Sequence, residues 1–129
     1  MNLKALKLLC PKARLKAVEI NPDAARPLAE LIGTHNVFEV SILDYAIKEQ
    51  VDLTFTTTVL IHIKPEMLDR VYEKLYQASS CYVLVCEYYN TSPATISYRG
   101  YSGRLFKRDF AGEILDKYSD LRLIDYGFV

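Results

Sequence analysis

The chain has 129 residues, half of them hydrophobic and a quarter charged, which predicts one ordinary domain with a packed core. Its 16 Lys and Arg residues balance 16 Asp and Glu residues, so the formal net charge is zero. This balance argues against a protein built mainly to coat nucleic acid or an anionic membrane, although it leaves room for a local basic patch.

The predicted elements alternate between helical and strand-like patterns. They begin with a helix over 2–10, a buried strand over 15–20, a helix from Asn21 to near Gly33, a short strand near 37–41 and a loop through Asp44. Next come a central strand over 52–57, a helix from Pro65, a buried strand over 80–87, a loop over 91–108, a helix capped by Asp109 and a last strand over 121–129. This order is typical of an α/β domain with a largely parallel sheet.

Glu19 stands at the end of the first apolar strand, within ARLKAVEINPDAA. In open α/β sheets, ligands bind beyond the carboxyl ends of the strands. A carboxylate there accepts two hydrogen bonds and donates none, which suits both ribose hydroxyls of a nucleoside cofactor. A solvated acid at a strand end fits the position equally well, so both interpretations stay open.

Asp44 ends the segment SILD after the next strand. Its carboxylate could accept a hydrogen bond from the exocyclic amine of an adenine, with Ile42, Leu43 and Tyr45 around the flat ring. Asp also forms turns by bonding its own backbone, and for Asp44 taken alone this is the favoured role. Together with Glu19, however, it favours an adenosine site.

The segment TTTVLIHI places Thr56, Thr57 and Thr58 at the carboxyl end of the predicted central strand. The reacting end of a cofactor would lie there. His62 follows just before a helix. Imidazole titrates near neutrality, so His62 could serve as a base; alternatively it bonds a backbone group and shapes the loop or lines the pocket, which is the favoured role.

The segment EYYNTSPATISYRGYSGRLFKRDF combines tyrosines with clustered bases. Residues 91–108 hold four bases and no acid, with tyrosines interleaved. Guanidinium groups bind carboxylate or phosphate through two parallel hydrogen bonds, so we expect this loop to grip a small anionic substrate. Stacking of nucleic-acid bases is a second possibility, which the overall neutrality weakens. A solvated basic loop over packed tyrosines is a third.

The three cysteines, Cys10, Cys81 and Cys86, form no disulfide framework, which predicts reduced thiols in a cytoplasmic protein. We expect them to be buried core residues, and we expect no metal site. No run approaches the roughly 18 apolar residues that a membrane helix needs, so no membrane partner is expected either. The basic N-terminus precedes no small-residue cleavage site, which argues against a secretory signal. The oligomeric state is not indicated.

Taken together, these segments resemble the class I S-adenosylmethionine-dependent methyltransferases. The acid-ended strand AVEINPDAA, the SILD acid and the block VDLTFTTTVLIHIKPEMLDRVYEKLYQASSCYVLVCE occur in that family's order. The later EYYN and YRGYSGRLFKRDFAGE resemble more narrowly the small methylases associated with pseudaminic acid biosynthesis. The resemblance implies a Rossmann-like sheet with helices on both faces.

The resemblance also implies a cofactor, S-adenosylmethionine, and a role for each site residue. Glu19 would bind the ribose hydroxyls, and Asp44 the adenine, with Leu43 or Tyr45 nearby. Thr57, Thr58 and His62 would lie near the methionine end, with His62 the candidate base. The residues that would face a small, anionic or sugar-derived acceptor are Tyr88, Asn90, Tyr98 and Arg99.

One departure from the family concerns its first strand and the Gly-rich loop that follows it. No glycine occurs before Gly33, so the sequence predicts a single partial domain over 1–129 that lacks this strand and loop and is truncated at both ends. A non-catalytic remnant or interaction module is therefore the alternative function. A nicotinamide-dependent Rossmann enzyme ranks third, since its fingerprint needs a Gly-rich turn too.

Overall fold

The computed structural model describes residues 2–128, except for the side chain of Ser102. The chain divides into two compact units, the first ending at Ala46 and the second beginning at Ile47. Within the described residues, no helix is long and apolar enough to cross a membrane.

Unit 1 is built around a β-α-β element. Its parts are α1 (Asn2–Leu9), β1 (Ala17–Val18), α2 (Pro22–Ile32), a 3₁₀ turn (Thr34–Asn36) and β2 (Val37–Phe38). The two short strands pair in parallel, with Ala17 opposite Val37. The Asn21 side chain caps α2 by accepting the Asp23 backbone N–H, and α2 ends at Gly33, whose φ is +90°. Pro27 lies inside α2 without ending it.

Unit 2 contains the longer elements. They are β3 (Val51–Thr57), a 3₁₀ turn (Leu60–His62), α3 (Pro65–Ala78), β4 (Ser79–Cys86), β5 (Ala94–Tyr98), β6 (Tyr101–Lys107) and α4 (Phe110–Lys117). Strands β3 and β4 pair in parallel, and β5 and β6 form an antiparallel hairpin. The described strands thus form a mixed α/β arrangement of three two-stranded sheets.

The apolar face of α3 supplies much of the core of unit 2. Its i, i+3, i+4, i+7 spacing buries Leu68, Val71, Tyr72 and Leu75. The Thr54 hydroxyl donates to the Leu75 carbonyl at 3.0 Å, which ties α3 to β3. The other buried apolar residues of this unit are Leu60, Ile61, Leu105, Phe106, Phe110 and Ile114.

Helix α4 is fastened to α3 by polar and aromatic contacts. The Tyr76 and Tyr118 rings stack at 3.9 Å between centroids, and Lys117 pairs with Asp69. The Asp109 side chain caps α4 by accepting the Gly112 N–H at 2.9 Å. A Cβ at residue 112 would lie 2.4 Å from an Asp109 carboxylate oxygen, so a larger residue there would displace the capping carboxylate.

One face of the β3–β4 sheet stays exposed. Leu53 pairs with Tyr82 and Phe55 with Leu84, and three of these four side chains (Leu53, Tyr82 and Leu84) are exposed. Parallel sheets are normally covered on both faces. The prediction of a buried strand over 80–87 is therefore wrong for this face.

The sequence predicts all four helices and the 52–57 strand correctly, and the α/β class is confirmed. The predicted loop over 91–108 is wrong, because β5 and β6 fill most of it. The predicted last strand is wrong over 121–128, where no strand forms; residue 129 lies outside the described residues. The cysteine prediction is also wrong, since Cys10, Cys81 and Cys86 are all exposed.

Leu68→Ala is expected to destabilise the protein by about 2–5 kcal/mol, because it removes packed atoms and leaves a cavity. Leu68 is 2 % exposed, whereas Leu84, its control on β4, is 52 % exposed. Leu84→Ala is expected to cost less than about 1 kcal/mol. Urea unfolding followed by circular dichroism measures both, and equal losses would contradict this account of the core.

Candidate functional site

In unit 1, Glu19 directly follows β1. Its N–H donates to the Phe38 carbonyl at 3.0 Å, which extends the β1–β2 pairing by one residue. Its half-buried side chain accepts the Asn21 N–H at 2.8 Å through Oε1. This bond uses one carboxylate oxygen to shape the turn into α2. Glu19 therefore has a local structural role, and its second oxygen is the one suited to a ligand hydroxyl.

Asp44 lies in the turn that follows β2, and its side chain is exposed. Ser41 organises this turn, because its carbonyl accepts the Asp44 N–H at 3.0 Å and its Oγ accepts the Leu43 N–H at 3.2 Å. The Tyr45 ring packs beside the Phe38 ring, with 5.0 Å between the two ring centroids. The loop thus returns to the carboxyl end of β2, the same sheet edge at which Glu19 leaves β1.

In unit 2, the carboxyl end of β3 carries a strained residue. Thr58 has a φ of +54°, which is rare for a β-branched side chain. Its N–H donates to the Cys86 carbonyl at 3.0 Å, so the backbone pairing with β4 continues through this conformation. Thr57, just before it, is half-buried. Strained backbone of this kind clusters at functional sites.

Glu87 holds the loop after Thr58. Its carboxylate accepts the Val59 N–H at 3.0 Å and the Ile61 N–H at 3.5 Å. These bonds satisfy the first donors of the 3₁₀ turn at 60–62. The sequence alone does not indicate this role of Glu87. The available signal was an acid directly after a strand, as at Glu19.

His62 ends that 3₁₀ turn and is exposed. Its Nδ1 lies 3.1 Å from the Arg104 carbonyl oxygen, and its ring lies 5.9 Å from the Tyr98 ring. A carbonyl only accepts, so Nδ1 carries the proton in this bond. This contact joins the loop to β6, and it leaves Nε2 as the ring nitrogen without the proton.

The four residues predicted to face the methyl acceptor fall into two pairs. Tyr98 ends β5, and Arg99 follows it in the hairpin turn with a φ of +50°. At the other end of β6, Tyr88 contacts Lys107, and the Asn90 N–H donates to the Arg108 carbonyl at 3.3 Å. A seven-residue strand spans roughly 20 Å. The structure thus places these pairs at opposite ends of the hairpin rather than in one cluster.

Two open concave surfaces lie away from these residues. One, of about 300 Å³ in unit 1, lies between α2 and β2 and includes Arg26 and Glu39. The other, of about 420 Å³ in unit 2, lies between α3 and α4 and includes Tyr72, Arg108 and Glu113. Neither lining, as described, contains Glu19, Asp44, Thr58 or His62.

A hydrogen-bond network lines the cavity of unit 2. Glu113 accepts the Tyr72 hydroxyl at 2.7 Å and the Arg108 Nε–H at 2.6 Å. Burial first, and the adjacent Glu113 carboxylate second, raise the pKa of Tyr72 well above 10. Sequence reasoning missed this network because its members come from α3, the end of the hairpin and α4.

Comparisons with known proteins give no relative: no family model, no curated protein and no solved structure matches the chain. In the described part of the chain, no group of three or more His, Cys, Asp or Glu residues could hold a metal ion.

Tyr72→Phe is expected to make the loss of stability at high pH shallower. The raised pKa means that the unfolded chain loses the Tyr72 proton above about pH 10 while the folded chain keeps it. The associated stability is complete below pH 10 and declines as the pH rises further. Urea unfolding from about pH 8 to 11 measures this. An equal effect of Tyr82→Phe, an exposed control on β4, would contradict this role of Tyr72.

Glu87→Ala is expected to cost about 1–3 kcal/mol, because it leaves the Val59 and Ile61 N–H groups without their acceptor. Hydrogen exchange should accelerate at amides 59 and 61. Asp52→Ala, which removes an exposed acid from β3, should stay within about 0.5 kcal/mol. Unchanged exchange at both amides would contradict the role of Glu87.

Proposed function

We propose that the chain is a methyltransferase-type α/β domain that binds S-adenosylmethionine and transfers its methyl group to a small anionic acceptor. The observation that supports this most is Glu19, a half-buried carboxylate at the carboxyl end of β1, directly before the capped start of α2. Ligands of open α/β sheets bind at this edge.

The adenosine half of the cofactor fits the residues of unit 1. The Glu19 carboxylate offers Oε2 to the ribose hydroxyls while Oε1 holds the Asn21 N–H. Asp44 is exposed in the turn after β2, so it can accept a bond from the adenine amine. Leu43 and Tyr45 are half-buried beside it, which suits contact with a flat ring.

Unit 2, taken by itself, carries further candidate groups. Thr57 and Thr58 offer hydroxyl groups at the end of β3, and the His62 ring offers Nε2. No glycine precedes Gly33, so residues 1–32 contain no Gly-rich turn of the kind that lets backbone approach a cofactor closely. The proposal therefore rests on the adenosine half.

The chain's own part in the reaction would be positioning and desolvation, which need no catalytic triad. When bound, S-adenosylmethionine would supply a methyl group activated by its positively charged sulfur, and transfer of this methyl would break the methyl–sulfur bond and leave the neutral thioether. Tyr98 and Arg99 lie at the hairpin tip, near His62, and the geometry favours them for contact with the methyl acceptor. Tyr88 and Asn90 lie at the other end of the hairpin.

A second candidate function, a non-catalytic interaction module, is favoured by a different observation. The face of the β3–β4 sheet that carries Leu53, Tyr82 and Leu84 is exposed, and all three described sheets have only two strands. Short sheets with open edges readily pair with other chains. Such a module would bind no cofactor.

Isothermal titration calorimetry with S-adenosylmethionine separates the two candidates. The methyltransferase proposal predicts saturable binding, weakened about 10- to 100-fold by Glu19→Ala, because bonds to a charged acceptor are lost. Glu19→Gln keeps an acceptor for the Asn21 N–H but loses the charge, so it should weaken binding too.

Glu30→Gln on the exposed face of α2 is the matched control, and its affinity should equal that of the unaltered chain. Equal affinity in the Glu19 variants would overturn the assignment of Glu19. No binding by the unaltered chain would favour the interaction module.

A further inference from the structure

The β5–β6 hairpin holds a row of cations on aromatic rings. Arg99 lies 5.3 Å from the centroid of the Tyr98 ring, and Arg104 lies 4.6 Å from that of Tyr101. At the other end of β6, the Lys107 ammonium lies 5.2 Å from the centroid of the Tyr88 ring. Each distance is within the range of an attractive cation–π contact. Two pairs lie near the tip of the hairpin and the third at its base.

The positive charge of this surface is not neutralised nearby in the sequence. Residues 91–108 contain four bases and no acid. One of the four, Arg108, is paired with Glu113. Arg99, Arg104 and Lys107 remain as the cations of the row. Because the whole chain is neutral, the residues outside this segment have a net charge of −4.

The tyrosines of the row are accessible. Tyr88, Tyr98 and Tyr101 are 53, 39 and 58 % exposed. Exposed aromatic rings beside cations form the stacking platforms of proteins that bind single-stranded nucleic acid. A duplex hides the faces of its bases, whereas a single strand can place them on such rings.

The hairpin has a tight turn at its tip and two buried residues in β6. Its two-residue turn, Arg99 and Gly100, has φ values of +50° and +80°, as a type I′ turn requires. The buried Leu105 and Phe106 anchor β6, and the Arg104 carbonyl accepts His62 Nδ1–H. Less conformational entropy is therefore lost on binding than with a free basic loop.

We infer that this hairpin surface, formed by Tyr88, Tyr98, Arg99, Tyr101, Arg104 and Lys107, binds single-stranded nucleic acid. The cations contact phosphates, and the tyrosines stack on bases. The binding requires no S-adenosylmethionine, so it stands or falls separately from the proposed cofactor site.

Fluorescence anisotropy with a labelled 12-mer of oligo(dT) or oligo(U) tests the inference without cofactor. Three phosphate contacts predict that the logarithm of the association constant falls against the logarithm of salt concentration with a slope of about −2. Between 50 and 200 mM salt, affinity should therefore drop about 20-fold. A duplex of the same length should bind more weakly.

The combined variant Arg99→Gln, Arg104→Gln and Lys107→Gln should remove this salt dependence and most of the binding. Lys4→Gln, Lys12→Gln and Arg14→Gln together change the net charge equally in unit 1 and should leave the affinity unchanged. Tyr101→Leu should weaken binding about tenfold through lost stacking, while circular dichroism confirms the fold.

Three results would overturn the inference. One is no binding of either oligonucleotide at 50 mM salt. A second is equal binding of inorganic polyphosphate, which has charge but no bases. The third is stronger binding to vesicles that contain anionic lipid than to the oligonucleotides.

Discussion

Burial of one face of α3 is the interaction on which the rest of unit 2 depends. Leu68, Val71 and Leu75 pack into the core, while Thr54 fixes the helix to β3. Tyr72 on the same face reaches α4 through Glu113, which also binds Arg108 at the end of the hairpin. Loss of this helix would therefore separate the parallel sheet, α4 and the hairpin at once.

The two acids that follow parallel strands serve the same physical purpose over different distances. Glu19 accepts the N–H of Asn21, only two residues away, and shapes the entry into α2. Glu87 accepts the N–H of Val59, 28 residues away, and fixes the loop beyond the strained Thr58. A carboxylate at a strand end first satisfies backbone donors that the end of the sheet leaves unpaired. Any role in binding a cofactor is added to that one.

The hairpin changes the functional interpretation of the basic segment after β4. If residues 91–108 formed a loop, this loop and the residues just before it could form one anion pocket. Tyr88, Asn90, Tyr98 and Arg99 would act together there. The paired strands β5 and β6 instead separate these residues by the length of β6 and place cations against tyrosine rings. A row of charges suits an extended polyanion, whereas the tip beside His62 suits a small molecule.

The sequence by itself determined the helices, because the 3.6-residue period, Asn21, Pro65 and Asp109 act within one turn. It also determined β3, through a run of β-branched residues. Only the tertiary structure decided which strand faces are covered. The sequence predicts buried cysteines and a buried 80–87 strand, whereas the structure exposes the cysteines and one face of that strand. The hairpin, the Glu87 bonds and the Tyr72 network were likewise beyond the sequence, because each joins residues whose proximity depends on how the elements fold together.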